Sequence, residues 1–360
     1  MLPYLILFAF FAIAALFSRM PVMAAADGSD GHASGETRVT TPGIMFALGG
    51  VLMALMIGLR EEVGGDWVNY VEMLQRARLD DFAEVFERSD PAYEFLNWLF
   101  AQLGFGLWAV NLVCAAIFTW GLVRFARVQP LPWLVMVVAI PYLVTVVAMG
   151  YTRQAVAIGL LLAGFASLFS GGSFLRFACY AVLAALFHRT AVLALPLVIF
   201  STDRGRLLTG VAGILLIYGL YASLLAEDVD KLVRNYIDAR YNSQGALIRV
   251  ILIVIPAGLF FLLRKRLKFG LAENKFWRLN SLAALALMVA LFVVPSSTAI
   301  DRIALYIFPL QLAVMSRLPI AFPSQLTTLA VVLYSLAIQL GWLLFAVHAA
   351  WWLPYKTTLF

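Results

Sequence analysis

The chain has 360 residues, of which 63% are hydrophobic and 13% charged, with a formal net charge of +6 and a mean hydropathy of +0.92. That is far more apolar length than one globular core buries, which excludes a soluble fold. The positive charge does not mean nucleic acid, because the basic residues lie in short breaks between apolar runs, where orientation in a membrane accounts for them.

A spanning helix needs roughly 20 apolar residues, and runs of about that kind recur from end to end. The apolar/polar alternation of barrel strands is missing, so the fold class is all-α, a polytopic integral membrane protein. In chain order the runs cover 4–17, 43–59, 107–123, 131–148, 154–169, 174–201, 207–224, 247–263, 279–295, 303–316 and 325–347. They predict a single membrane domain over 1–360 with about 11–12 transmembrane helices. No basic residue precedes the first run, which is therefore read as a retained helix rather than a signal peptide. Residues 60–106 form the most polar stretch, an expected external loop with an amphipathic surface helix over 74–86. Within it, Asp90 is expected to cap a helix that starts at Pro91. Residues 225–246 form a second external loop.

Two basic clusters anchor the cytoplasmic side, Arg264-Lys265-Arg266-Leu267-Lys268 and the pair Arg124 and Arg127. Five apolar runs separate them, an odd number, although both belong on one face. Parity returns if 174–201 is a hairpin of two short helices turning at His188-Arg189-Thr190. A crossing by 226–246 instead would carry seven ionisable residues into hydrocarbon, at high cost. With the hairpin, cytoplasmic segments hold 14 Lys/Arg against 5 Asp/Glu, and external ones 12 against 15. The external face then collects Arg60 to Asp90, Arg153, His188-Arg189, Asp301-Arg302 and Trp351 to Tyr355.

Arg153 and Arg302 stand beside the ends of apolar runs. A guanidinium presents a rigid fork of donors that matches phosphate oxygens, so arginines gathered on one face suit a lipid-linked pyrophosphate. Singly, each is explained as well by snorkelling, and Asp301 is a neighbouring partner for Arg302. Asp66 follows Gly64-Gly65, and a carboxylate there serves as general base, as a holder of an arginine, or as a solvated loop acid. Tyr70 and Trp67 read equally as interfacial aromatics. His188 lies inside an apolar run, where an ionisable side chain is a functional candidate, the alternative being a histidine that stabilises the turn. His32 and His348 receive no role. Cys114 and Cys179 lack zinc-site spacing, and no zinc-protease, Walker or serine-elbow motif is present, so neither metal nor cofactor is expected.

Taken together, Arg60 with Gly65-Asp66 and Tyr70, Asp90-Pro91-Ala92-Tyr93, Arg153-Gln154, Phe187-His188-Arg189-Thr190-Ala191, Arg302 with Tyr306, and Trp352-Leu353-Pro354-Tyr355 resemble the successive motifs of the EpsG-like family of Wzy-type exopolysaccharide polymerases. The resemblance runs over nearly the whole chain and keeps the motif order. One departure is Asp90, where the family more often has Glu. The resemblance implies a bacterial inner-membrane enzyme of glycosyltransferase type, with a glycosyltransferase-C-like architecture as one candidate and no metal, that joins undecaprenyl-diphosphate-linked oligosaccharide units on the periplasmic face. It implies His188 and Asp66 as catalytic candidates, and Arg60, Arg153, Arg302, Tyr70 and Tyr306 as groups that bind pyrophosphate or glycan. Gly65, Asp90, Pro91 and Gln154 would shape the motif. The implied partners are membrane lipid, a flippase and a chain-length regulator. Two other classes remain open, another polyprenyl-lipid-dependent glycosyltransferase or ligase, and a polysaccharide-precursor transporter.

Overall fold

The computed structural model describes residues 1–18, 43–201, 245–294 and 297–359, with the isolated positions 211, 214, 215 and 218. The apolar run expected at 207–224 and the loop expected at 225–246 lie almost wholly outside the described residues. The helices among the described residues are α1 (Leu2–Phe17), α2 (Ile44–Gly58), α3 (Trp67–Ala77), α4 (Pro91–Gln102), α5 (Leu107–Arg127), α6 (Pro132–Ala139), α7 (Thr152–Phe169), α8 (Phe174–Phe187) and α9 (Leu195–Ser201). They continue as α10 (Ala246–Leu263), α11 (Leu271–Val293), α12 (Ser297–Ile307), α13 (Pro309–Met315), α14 (Leu318–Ala321) and α15 (Gln325–Phe345). No strand occurs among the described residues, so the backbone satisfies itself within helices, as hydrocarbon requires.

Five of these are long and apolar enough to cross a membrane: α5, α7, α10, α11 and α15. A sixth crossing is available if α12 and the helix running on from Pro309 to Ala321 are one span, bent by 46°. The bend falls where it must, because Pro309 has no N–H to continue the ladder of α12. Five further apolar helices are shorter, at 10–17 residues. The chain is a multi-pass membrane protein; five or six spans of full length are present among the described residues, and the run expected at 207–224 lies outside them. Apolar side chains such as Leu262, Phe292 and Leu333 point outward from α10, α11 and α15, a surface that suits lipid rather than water.

Packing is closest where α5 crosses α7. A Cβ on Gly121 would lie 1.9 Å from the Gly159 carbonyl oxygen, and one on Gly159 would lie 2.6 Å from the Phe118 Cα. Backbones approach this closely only where small residues sit at the crossing. At α6, Trp133 packs against Phe10, Phe11 and Phe46 with ring centroids 4.9–6.1 Å apart, which fastens α1 and α2 to the bundle. The backbone after α6 widens into a π-helix over Ile140–Ala148 that contains Pro141.

Two polar poles result. At one, Arg317 donates to Gln129 Oε1 at 3.1 Å and to the Lys268 carbonyl at 3.4 Å, and pairs with Glu273 at 3.1 Å. This joins three segments expected on the cytoplasmic side. The opposite pole gathers the segments expected outside. The run at 174–201 breaks at His188, whose backbone is extended (φ −158°, ψ 104°) between α8 and a 3₁₀ turn at Arg189–Ala194. His188 lies at the second pole, whereas Phe169, just before the turn into α8, packs on Phe276 and Trp277. The amphipathic helix expected at 74–86 sits earlier, as α3, followed by one 3₁₀ turn at Glu84–Glu87. Its buried face is Tyr70, Leu74 and Ala77, spaced four and three apart, and that stripe carries the helix only as far as Ala77.

Candidate functional site

The second pole is built on backbone contacts between distant segments. Gly64 has φ +108°, and a Cβ there would lie 2.1 Å from the Met149 carbonyl oxygen. Its N–H donates to the Trp351 carbonyl at 2.9 Å. The close approach thus falls on Gly64; Gly65 sits beside it against the Trp351 ring. Arg60 is fully buried and donates to the carbonyls of Ile57 (2.5 Å), Val63 (3.2 Å) and Met149 (3.0 Å) and to Thr152 Oγ1 (2.7 Å). It ties the end of α2 to the start of α7 and does not line the cavity described below.

The C-terminal segment closes the pole. Trp352 is buried, and its indole N–H donates to the Thr145 carbonyl at 2.7 Å, within the π-helix. Its own carbonyl accepts from Tyr4 Oη at 2.8 Å. Tyr355 Oη donates to the Met56 carbonyl at 2.7 Å. Thus α1, α2, the π-helix and the C-terminus are held together beside Gly64-Gly65-Asp66.

Two polar groupings rest on this frame. In the first, Asp90 occupies the N-cap position of α4, but its side chain makes no capping bond. The expected cap is instead spent across the structure. The Asp90 carboxylate accepts from Arg153 Nη1 at 2.6 Å and from the Arg189 backbone N–H at 3.3 Å. His188 Nδ1 is 3.9 Å away, within ion-pair reach but too long for a hydrogen bond. Burial pushes the Asp90 carboxyl up, and His188, Arg153 and the Arg189 N–H together outweigh it, holding the group below the usual carboxylate range. The buried His188 Nδ1 and Tyr93 Oη have no hydrogen-bond partner among the described residues. Such orphaned groups are uncommon in native structures and call for a ligand or a role.

The second grouping lines a cavity of about 670 Å³ that opens on the same pole, walled by Gly65, Asp66, Tyr151, Arg249, Arg302, His348 and the tryptophans 342, 351 and 352. The Arg302 guanidinium stacks 4.2 Å from the Tyr151 ring centroid, a cation–π arrangement that fixes its plane. Gln154 accepts from Arg302 Nη1 at 3.4 Å and donates to the Arg302 carbonyl at 2.9 Å. Asp301 reaches across to Arg249, 2.6 Å away. Tyr306 Oη meets Thr190 Oγ1 at 2.9 Å, linking α12 to the break at His188. Burial raises the Asp66 carboxyl above its ordinary range, against the opposing pull of Arg302, Arg153 and His188. Asp66 therefore stands within electrostatic reach of both groupings.

Of the residues singled out in the sequence, Asp66, Gly65 and Arg302 line the cavity, with Gln154 holding Arg302 from behind. Asp90, Arg153 and His188 form the adjoining network. Tyr70 is buried beneath it with its ring 5.6 Å from Tyr93. Pro91 opens α4, and Arg60 and Tyr306 are buried supports. Sequence reasoning missed Tyr151, Arg249 and His348. Arg249 did carry a signal, being a lone arginine inside an apolar run. His348 is recognisable only once the fold brings the end of α15 over the Gly64-Gly65 turn. No group of three or more His, Cys, Asp or Glu able to hold a metal ion occurs among the described residues.

No curated protein and no solved structure matches the chain. The model of one family does, across residues 43–357, which takes in every residue of the pole except those of α1. On that match the chain belongs to the EpsG family, whose known kind is the Wzy-type polysaccharide polymerase.

Proposed function

We propose that this protein joins undecaprenyl-diphosphate-linked oligosaccharide repeat units into exopolysaccharide at the periplasmic face of the bacterial inner membrane. The observation that carries this reading is the placement of a half-buried carboxylate, Asp66, in one cavity with the stacked and braced guanidinium of Arg302. The pair supplies a base and an anion-stabilising group on the walls of one cavity. The donor is the growing chain on its lipid diphosphate, and the acceptor is a hydroxyl of the next lipid-linked unit. The acceptor oxygen attacks the anomeric carbon, the bond from that carbon to the diphosphate oxygen breaks, and undecaprenyl diphosphate leaves. Asp66 takes the hydroxyl proton, a role suited to a carboxyl whose affinity for protons is raised by burial. Arg302 meets the charge that develops on the leaving diphosphate, as preorganised donors do in low-dielectric sites. Arg153, fixed by Asp90, and His188 beside it contact the glycan or the second diphosphate from the adjoining network. Arg60 positions the α2 and α7 ends.

Positive-inside orientation supports the periplasmic placement, because the Arg317 pole unites the strongly basic segments. A flippase that delivers the units and a regulator of chain length are the expected partners.

The test is polymer formation in a strain lacking the gene, complemented at matched membrane levels with wild type, Arg302→Ala or His188→Ala. Removing one such donor costs about 10²–10³ in rate, so Arg302→Ala is expected to abolish detectable polymer while lipid-linked single units build up on the outer face. Build-up on the cytoplasmic face instead would identify a transporter.

A further inference from the structure

A second cavity of about 630 Å³ runs between α10 and α15, over Tyr142 of the π-helix. Its walls include Leu252 on α10 and Ala337, Ile338 and Phe345 on α15, and its exposed lining is almost wholly apolar. It is continuous in its lining with the polar cavity, since Arg249, Trp342, Val347 and His348 belong to both. From Tyr334 to Phe345 the groove follows α15 for about 16 Å at 1.5 Å per residue, which is about half of a 30 Å hydrocarbon core. Its upper end lies at the pole that holds Asp66 and Arg302. The groove is therefore one leaflet deep and opens at the head into charge.

We infer that this groove seats the isoprenoid tail of a polyprenyl diphosphate, with the diphosphate at the junction beside Arg249 and Arg302. The inference rests on the reading of the site as one for lipid-linked sugars. Charge complementarity selects the occupant. Arg249 is held at the junction by Asp301, Arg302 faces the same cavity, and the 670 Å³ beyond them leaves volume for sugars after the diphosphate is placed. Both volumes lie within the range of about 300–1,000 Å³ usual for ligand sites.

Gly341 provides the handle. It lines the groove, and a Cβ added there meets no heavy atom within 4 Å, so a larger side chain fills the groove without displacing its walls. Gly258, on α10, is equally open but lies outside the groove lining. The experiment uses the purified full-length protein in lipid nanodiscs and a long-chain polyprenyl diphosphate that carries a diazirine midway along its tail. Irradiation followed by peptide mapping is expected to place the label on α10 and α15 around Leu252 and Ile338. Labelling should fall at least fivefold in Gly341→Phe and in Ala337→Trp, remain unchanged in Gly258→Phe, and resist competition by excess phosphatidylglycerol.

Label spread evenly over the lipid-facing surface, labelling indifferent to both groove-filling variants, or equal displacement by phosphatidylglycerol would each overturn the groove. The label reads seating of the tail without bond formation. Specific labelling by a protein that makes no polymer would thus count against the polymerase and leave the groove intact. Polymer made normally by Gly341→Phe with unchanged labelling would do the reverse.

Discussion

Asp66 and Asp90 are both acids at helix N-cap positions, yet the structure sets them in opposite states. Asp90 is held below the usual carboxylate range by its neighbours, so it stays ionised through mild acid and keeps Arg153 in place. Asp66 is raised by burial, so it takes up a proton at higher pH than an ordinary aspartate would. If Asp66 is the base, activity is lost as pH falls through its raised value, because the protonated form cannot accept a proton. Asp66→Asn is expected to remove at least tenfold of the polymerisation rate and to flatten that acid limb; an unchanged limb in the variant would assign it to another group. For Arg60 the expected loss is of fold, not chemistry. Arg60→Ala leaves three carbonyls and a hydroxyl without their donor, at about 1–3 kcal/mol for each group that stays buried and unsatisfied. Thermal unfolding of the detergent-extracted protein should fall sharply, while the fraction that remains folded keeps near-normal specific activity.

At the level of elements, the turn before α3 sets how closely the C-terminal segment approaches α7. Gly64→Ala combines a strained positive φ with a Cβ 2.1 Å from a backbone oxygen that cannot move aside. At Gly65 the nearest atom is 3.1 Å away on the Trp351 side chain. Gly64→Ala is therefore expected to lower the melting temperature much more than Gly65→Ala, and equal effects would show that the turn is not the constraint. The break at His188 was legible in the sequence, because a 28-residue run exceeds one span and the ionisable pair His188-Arg189 interrupts it. The network around Asp90 was not, since an Asp before a Pro reads locally as a helix cap. Its true partners lie 63 and 99 residues away, at Arg153 and Arg189. Helix lengths were equally hidden. Hydropathy marks where apolar residues begin and end, but the bend at Pro309 and the π-helix through Pro141 depend on how the bundle satisfies freed backbone groups.

Across the whole molecule, two poles divide the charge. Among the described residues, Arg317, Glu273 and Gln129 cluster at one, and Arg60, Asp66, Asp90, Arg153 and Arg302 at the other. If the second pole faces the periplasm, Glu87→Cys in a Cys179→Ser background is labelled by an impermeant maleimide in cells with a permeabilised outer membrane and intact inner membrane. Lys265→Cys is labelled only after the inner membrane is opened. The reverse pattern would place the site on the wrong side for exported units. The most direct test of the central claim is reconstitution of the purified protein in liposomes with a synthetic undecaprenyl-diphosphate-linked repeat unit, with product length read by gel and mass spectrometry. The account predicts a ladder of two or more joined units and release of one undecaprenyl diphosphate per bond, both absent with Arg302→Ala. Intact single units with no bond formed, or units moved across the bilayer without being joined, would contradict it.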